Sequence, residues 1–173
     1  TTRWQGDLAE LIIYNHKISQ AERQKIESYL GIKYGITLGA NGSSLDYLDS
    51  DGTVIWDVDT GNATNDAFNY NITGVGRDDA SGLEQNQSKS INTSDDITIG
   101  IKTIETTNTM NTSEFFADKT FLLWGNDNGG TSPDSPITKD FGNGAGSISS
   151  VTPITQKWKV VIKDSVPTVK LSI

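Results

Sequence analysis

From Gly39 to Ile173 the sequence alternates short runs rich in Val, Ile, Thr and aromatic residues with turn signals, and no helical period interrupts them. The runs are Thr53 to Val58, Asn69 to Val75, Ile97 to Lys102, Thr120 to Gly125, Thr155 to Lys163 and Thr168 to Ile173. Asn41-Gly42, Asp51-Gly52, Asn128-Gly129-Gly130 and Asn143-Gly144 punctuate them, and such residues supply the positive φ that tight turns need. Strands at this spacing without intervening helices predict an antiparallel β-sandwich. Trp56, Trp124 and Trp158 fall inside these runs and are expected in the core, whereas Trp4 stands outside any element and is the expected exposed aromatic.

One segment departs from this pattern. Ser19 and Glu22 have capping-box spacing, Ala21 to Lys25 are good helix formers, and Ile26, Tyr29, Leu30 and Lys33 recur on one face before Gly35 closes the element. The spacing predicts a helix from about Gln20 to Tyr34, docked by that face on a sheet. Gly31 in its interior costs about 1 kcal/mol relative to Ala, which points to close packing there. Ahead of the helix, Leu8 to Tyr14 is an apolar run bounded by Gly6 and Asn15, short and β-branched, and it reads as a buried strand. The fold class expected is therefore all-β with one helix: a single module over 1–173, with strand plus helix in 1–38 and a β-rich body in 39–173.

At this length one core can bury about 70% of the unfolded surface, so no covalent staple is needed. None is available, because the chain has no cysteine; disulfides and thiolate metal sites are both excluded. A net charge of −8 without a Lys/Arg cluster argues against nucleic acid and anionic membranes as partners. No apolar run reaches the roughly 20 residues of a membrane helix, so direct membrane insertion is not expected. Thr1 opens without a signal-like segment, and the sequence reads as a mature chain or an excised module. His16 is the only histidine and sits between an expected strand end and a helix cap, which argues against Ser-His-Asp catalysis and against histidine zinc sites. Phosphate loops are absent; Gly74-x-Gly76 lacks a third glycine and a following helix.

The sixteen Asp outnumber the six Glu and fall mostly in Gly/Asn/Ser/Thr-rich segments, where short carboxylates suit a hard cation such as Ca²⁺. The stretch Ile72 to Ser88 runs as a strand into Asp78-Asp79 and the small turn Ala80-Ser81-Gly82, an arrangement equally open to a solvated turn. Asn126-Asp127-Asn128-Gly129-Gly130 has the same form of strand, acid and glycine. If the two loops share one end of the sandwich they can share an ion. Asp49-x-Asp51 and Asp57-x-Asp59 place carboxylates two apart, which lets loop oxygens converge but also fits one wet face of a strand. The expected metal ligands are thus Asp78, Asp79, Asn126, Asp127, Asp49, Asp51, Asp57 and Asp59. Arg77, placed to pair with a site carboxylate or a ligand carboxylate, is the expected ligand contact together with Ser81, Gly82 and Gln85.

Two resemblances sharpen this. Gly6-Asp7-Leu8-Ala9-Glu10-Leu11-Ile12-Ile13-Tyr14-Asn15, followed by Ile18 to Leu30, resembles the closing strand and trailing helix of laminin-G-like (concanavalin-like) modules in large bacterial surface proteins. The remainder, with Ser50-Asp51-Gly52-Thr53-Val54-Ile55-Trp56-Asp57, Gly74 to Asp79, Leu122 to Asp127 and Trp158-Lys159-Val160, resembles the calcium-dependent peptide-binding domain of long RTX adhesins. The resemblance implies an extracellular, cell-surface module that holds Ca²⁺. Its implied partners are a peptide or glycan on another cell's surface and the neighbouring modules of the same long chain.

Three functional classes follow. The first is a non-catalytic, Ca²⁺-dependent recognition module of a secreted adhesin, with peptide termini as the expected ligand and a glycan as the alternative. The second is a spacer that the same ions merely rigidify. The third, a glycan-active enzyme, lacks a Glu-x-Asp-x-x-Glu strand motif, and Glu10 and Glu114 have no acidic partner two residues on.

Overall fold

The computed structural model describes residue 3 and residues 5–92, 97–115, 117–140 and 147–173; Trp4 and the Asn143-Gly144 turn lie outside the described residues. Helix α1 spans Gln20–Tyr34, and its start is the capping box itself: the Ser19 side chain accepts from the Glu22 N–H at 3.2 Å, and the Glu22 carboxylate accepts from the Ser19 N–H at 2.7 Å. Gly35 ends the helix in the left-handed region, at φ 66°, and returns its N–H to the last turn. The face that docks is offset from the one the apolar spacing indicates, with Tyr29 of that face packed at the core's margin. Ser28, Gly31 and Ile32 are buried, whereas Ile26 and Leu30 are only half-buried. The reason is close approach: a Cβ on Gly31 would come within 3.0 Å of the Ile36 carbonyl and 3.2 Å of Tyr47. Ser28 fills its own space with hydrogen bonds, donating to the Gln24 carbonyl at 2.7 Å and accepting from the Leu48 N–H at 2.9 Å.

A second correction concerns Leu8 to Tyr14. No described strand pairs with this segment; Leu8 is 65% exposed, Leu11 69% and Ile13 81%. A strand exists only with a neighbour to share its ladder, and here the segment instead crosses the outer face of α1. Glu10 pins it there, accepting from Lys33 Nζ and the Tyr34 hydroxyl at 3.0 Å each and from the Tyr29 hydroxyl at 3.1 Å.

The body is built from antiparallel strands. A hairpin joins β1 (Tyr47–Leu48) to β2 (Val54–Trp56), and a single helical turn, α2, covers Ala63–Asp66. Strand β3 (Tyr70–Asp78) pairs with β4 (Leu83–Gln85) on one side and β7 (Thr120–Asn126) on the other, and β10 (Trp158–Lys163) completes a four-stranded sheet in the order β10-β7-β3-β4. One residue after β4, the chain steps across into β5 (Gln87–Lys89). That strand pairs with β6 (Thr98–Ile101), which pairs with β11 (Val169–Ser172), giving a second sheet in the order β11-β6-β5. A separate hairpin, β8 (Ile137–Asp140) with β9 (Ser147–Val151), leaves the body between β7 and β10.

The central strand β7 is buried along its whole length, and its alternation divides the core. Phe121 and Leu123 face α1 and the first hairpin, joining Ile32, Leu38, Tyr47, Ile55, Trp56 and Ile72. Leu122 and Trp124 face the second sheet, joining Val75, Ile97, Ile99, Ile101 and Phe115, with Trp158 packed at the margin. Gly74 lets β3 lie this close, because a Cβ there would meet the Leu123 side chain at 2.8 Å. The result is an all-β fold with one substantial helix against its sheets.

Candidate functional site: the acidic loops

The antiparallel register settles how the acidic loops are distributed. Arg77 lies opposite Thr120 and Tyr70 opposite Asn126, so Asp78-Asp79 and Asn126-Asp127 leave opposite ends of the sheet. They cannot share an ion: the condition of one common end is not met, because β3 pairs antiparallel with β7.

At the Asp78 end the carboxylates have lysine partners. Asp78 is buried and accepts from the Ser50 N–H and hydroxyl at 2.8 Å each and from Lys119 Nζ at 3.0 Å. Lys119 also contacts the Ser50 hydroxyl and lies 3.6 Å from Asp51. Asp49, equally buried, accepts from Lys163 Nζ at 2.6 Å and from the Thr53 N–H at 2.9 Å, with the Asp51 N–H at 3.0 Å. Burial pushes both carboxyls up, but the lysines and backbone N–H donors outweigh it and hold each below the ordinary carboxylate range. Asp49, Asp51 and Asp78 therefore belong to an ion-pair cluster that ties the first hairpin turn to β3, to the start of β7 and to the end of β10.

Asp79 lies beside this cluster in solvent, gripped by the Arg77 guanidinium at 2.7 and 3.0 Å, which is the first cause of its lowered pKa. Ser81 Oγ donates to the Asp78 carbonyl at 3.1 Å, and Gln85 is buried with its amide on the Gln87 carbonyl at 2.8 Å. Of the expected ligand contacts, Arg77 and Gly82 line an open polar hollow of about 550 Å³ with Asp79, Glu84 and Glu114. At the other end, Asn126 is buried and accepts from the Asn128 N–H at 3.0 Å, while Asp127 accepts from the Gly129 and Lys157 N–H groups at 3.0 Å each. Both close a turn.

The remaining pair is brought together with a third acid. Tyr47 lies opposite Trp56 across the first hairpin, so Asp46 and Asp57 flank its open end, and Asp59 follows two residues later. Carboxylate oxygens of Asp46, Asp57 and Asp59 lie within 4.8 Å of one another. One oxygen of Asp46 accepts from the Val58 N–H at 2.9 Å and one of Asp57 from the Asp59 N–H at 3.1 Å. None of the ion pairs among the described residues reaches this group. Ca²⁺ binds oxygen at about 2.3–2.6 Å, so two of its ligands stand at most about 5 Å apart, and the spacing here fits.

Residues 22–173 match the family described as Domain of unknown function (DUF8202). The chain belongs to that family. No curated protein and no solved structure matches it. Every acidic group just described lies within the DUF8202 match, whereas the exposed segment Leu8 to Tyr14 lies before it. Among the described residues no helix is long and apolar enough to cross a membrane. Sequence reasoning missed Asp46, Lys119 and Lys163. The signal for Asp46 was present, since folding the chain back at Asp51-Gly52 puts residues 46 and 57 abreast; the lysines come from strands distant in sequence and carry no local signal.

Proposed function

We propose that the chain is a non-catalytic, Ca²⁺-dependent recognition module of a large secreted bacterial adhesin, acting outside the cell on peptide segments of surface proteins. The observation that carries this reading is the convergence of Asp46, Asp57 and Asp59 without a cationic partner among the described residues. Like charges held side by side repel, the more so at the half-buried Asp46, and a cation that joins them relieves that repulsion. Three carboxylates leave room in a shell of six to eight oxygens, which water, backbone carbonyls or a ligand's own oxygens complete. The same ion clamps the open end of the first hairpin, and through it the layer that carries α1.

The apolar, unpaired segment Leu8 to Tyr14 supports membership of a longer array of modules. Leu8, Leu11 and Ile13 are exposed here and gain burial if the segment serves as a strand of a neighbouring module. Calorimetry against a peptide panel and a sugar panel, each with calcium and with EGTA, tests the proposal. Binding of peptides in calcium that vanishes in EGTA is the expected result. Calcium-dependent stability without any ligand would reduce the module to a rigidified spacer, and binding to sugars alone would make it a lectin.

A further inference from the structure

The two sheets are continuous at one margin and end at the other in β10 and β11, strands joined by the short link 164–168 that forms a seam between them. Strand β4 passes into β5 across Asn86, so the neighbours run β10-β7-β3-β4, then β5-β6-β11, and the outer edges of β10 and β11 carry no strand partner among the described residues. The side chains at this seam are apolar and point between the sheets. Val160 and Ile162 lie opposite Trp124 and Leu122, and Val169 and Leu171 lie opposite Ile101 and Ile99, all four partners being buried in the core between the sheets. Directly opposed residues of an antiparallel pair share a face. Yet Val160 is 51% exposed, Ile162 58% and Leu171 51%, so the face these strands share with the core is left open to solvent here.

A further observation defines what fits. The exposed rim is basic: residues 157–173 carry Lys157, Lys159 and Lys170 against Asp164, with Lys163 held by Asp49 and the Lys159 ammonium 4.8 Å from the Trp56 ring centroid, in a chain of net charge −8. Two free ladder edges, an apolar floor of alternating residues and a positive rim together specify an extended strand with apolar residues on alternate positions and carboxylates between them.

We infer that the β10/β11 seam accepts such a strand from a peptide ligand, which adds to the free edges and covers Val160, Ile162 and Leu171. This rests on the recognition-module reading and names its ligand class and mode. It places the ligand on a different face of the molecule from Arg77, Ser81 and Gly82. Lysines on an edge strand also discourage pairing with neutral or basic strands, so the rim selects as well as attracts.

The probe is the synthetic peptide acetyl-Asp-Val-Glu-Val-Asp-Leu-Glu-Val-amide, with two controls: the same composition with the apolar residues grouped, and the same pattern with lysine for each acid. Hydrogen exchange on the full chain is the readout. The alternating acidic peptide should slow exchange of β10 and β11 amides at least tenfold, and neither control should match it. Val160→Asp with Ile162→Asp, and separately Leu171→Asp, should remove that protection while exchange in β3 and β7 stays slow. If the double variant loses its core protection, Lys159→Glu with Lys170→Glu supplies the second test, and it should shift preference to the lysine peptide. No protection at millimolar peptide, equal protection by the grouped control, or protection located elsewhere would overturn the inference. The measurement is made in EGTA as well as in calcium: protection of the seam in both leaves the strand site standing even if the calcium reading fails, and calcium binding without seam protection does the reverse.

Discussion

Asp78 and Asp49 spend their oxygens on Ser50, Lys119, Thr53 and Lys163, and burial makes each of those bonds matter to stability. Because their folded pKa values are depressed, the stability they contribute is fully present above the unfolded carboxylate value, about 4, and is lost as pH falls through the folded values below it. Acid unfolding should therefore steepen below about pH 4, and Asp78→Asn should flatten that part of the curve; a curve unchanged by the substitution would mean the cluster is energetically silent. Lys119→Met should cost about 3 kcal/mol in denaturant unfolding at neutral pH, since it leaves a buried carboxylate without its cation. A loss well under 1 kcal/mol would show that Ser50 alone satisfies Asp78. At this scale the sequence could name acids but not their partners. Asp57 and Asp78 both read as loop carboxylates, and only the chain's return through Lys119 separates a paired one from an open one.

The helix shows what is legible at the next scale. Its limits followed from Ser19, Glu22 and Gly35 because caps are local chemistry, whereas its buried face did not, because Gly31 and Ser28 pack through absence of bulk rather than through apolar area. Ser19→Ala should cost about 1 kcal/mol through the lost cap. Ile32→Ala, at a fully buried position, should cost about 2 to 5 kcal/mol, and Ile26→Ala, on the half-buried outer face, distinctly less. Equal losses at residues 26 and 32 in urea unfolding would contradict the docking described. The six strands read from β-branched runs were legible for the complementary reason, namely that such runs and turn dipeptides are also local, whereas β4, β5, β8 and β9 carry no such run and were not read from the sequence. Leu8 to Tyr14 misled because an apolar run reports that it wants a partner, not that the chain supplies one.

For the whole molecule, antiparallel register is the decisive quantity, and beyond a single tight hairpin such as the one at Asp51-Gly52 it is not legible in a sequence read without contacts. It sends Asp78-Asp79 and Asn126-Asp127 to opposite ends, gathers Asp46 with Asp57 and Asp59, and leaves β10 and β11 as the outer margins of the two sheets. A calcium ion at the first hairpin and a strand at the seam would each bind only the folded state, so both should raise stability by mass action. The most direct test of the central claim is the melting temperature in calcium and in EGTA, for the parent chain and for Asp57→Asn with Asp59→Asn. At calcium about 100 times the dissociation constant the parent should gain about 2.7 kcal/mol, a rise of about 5 to 10 °C, and the double variant should show none of it. Coincident melting curves for the parent in calcium and EGTA, or an undiminished calcium shift in the variant, would contradict the account.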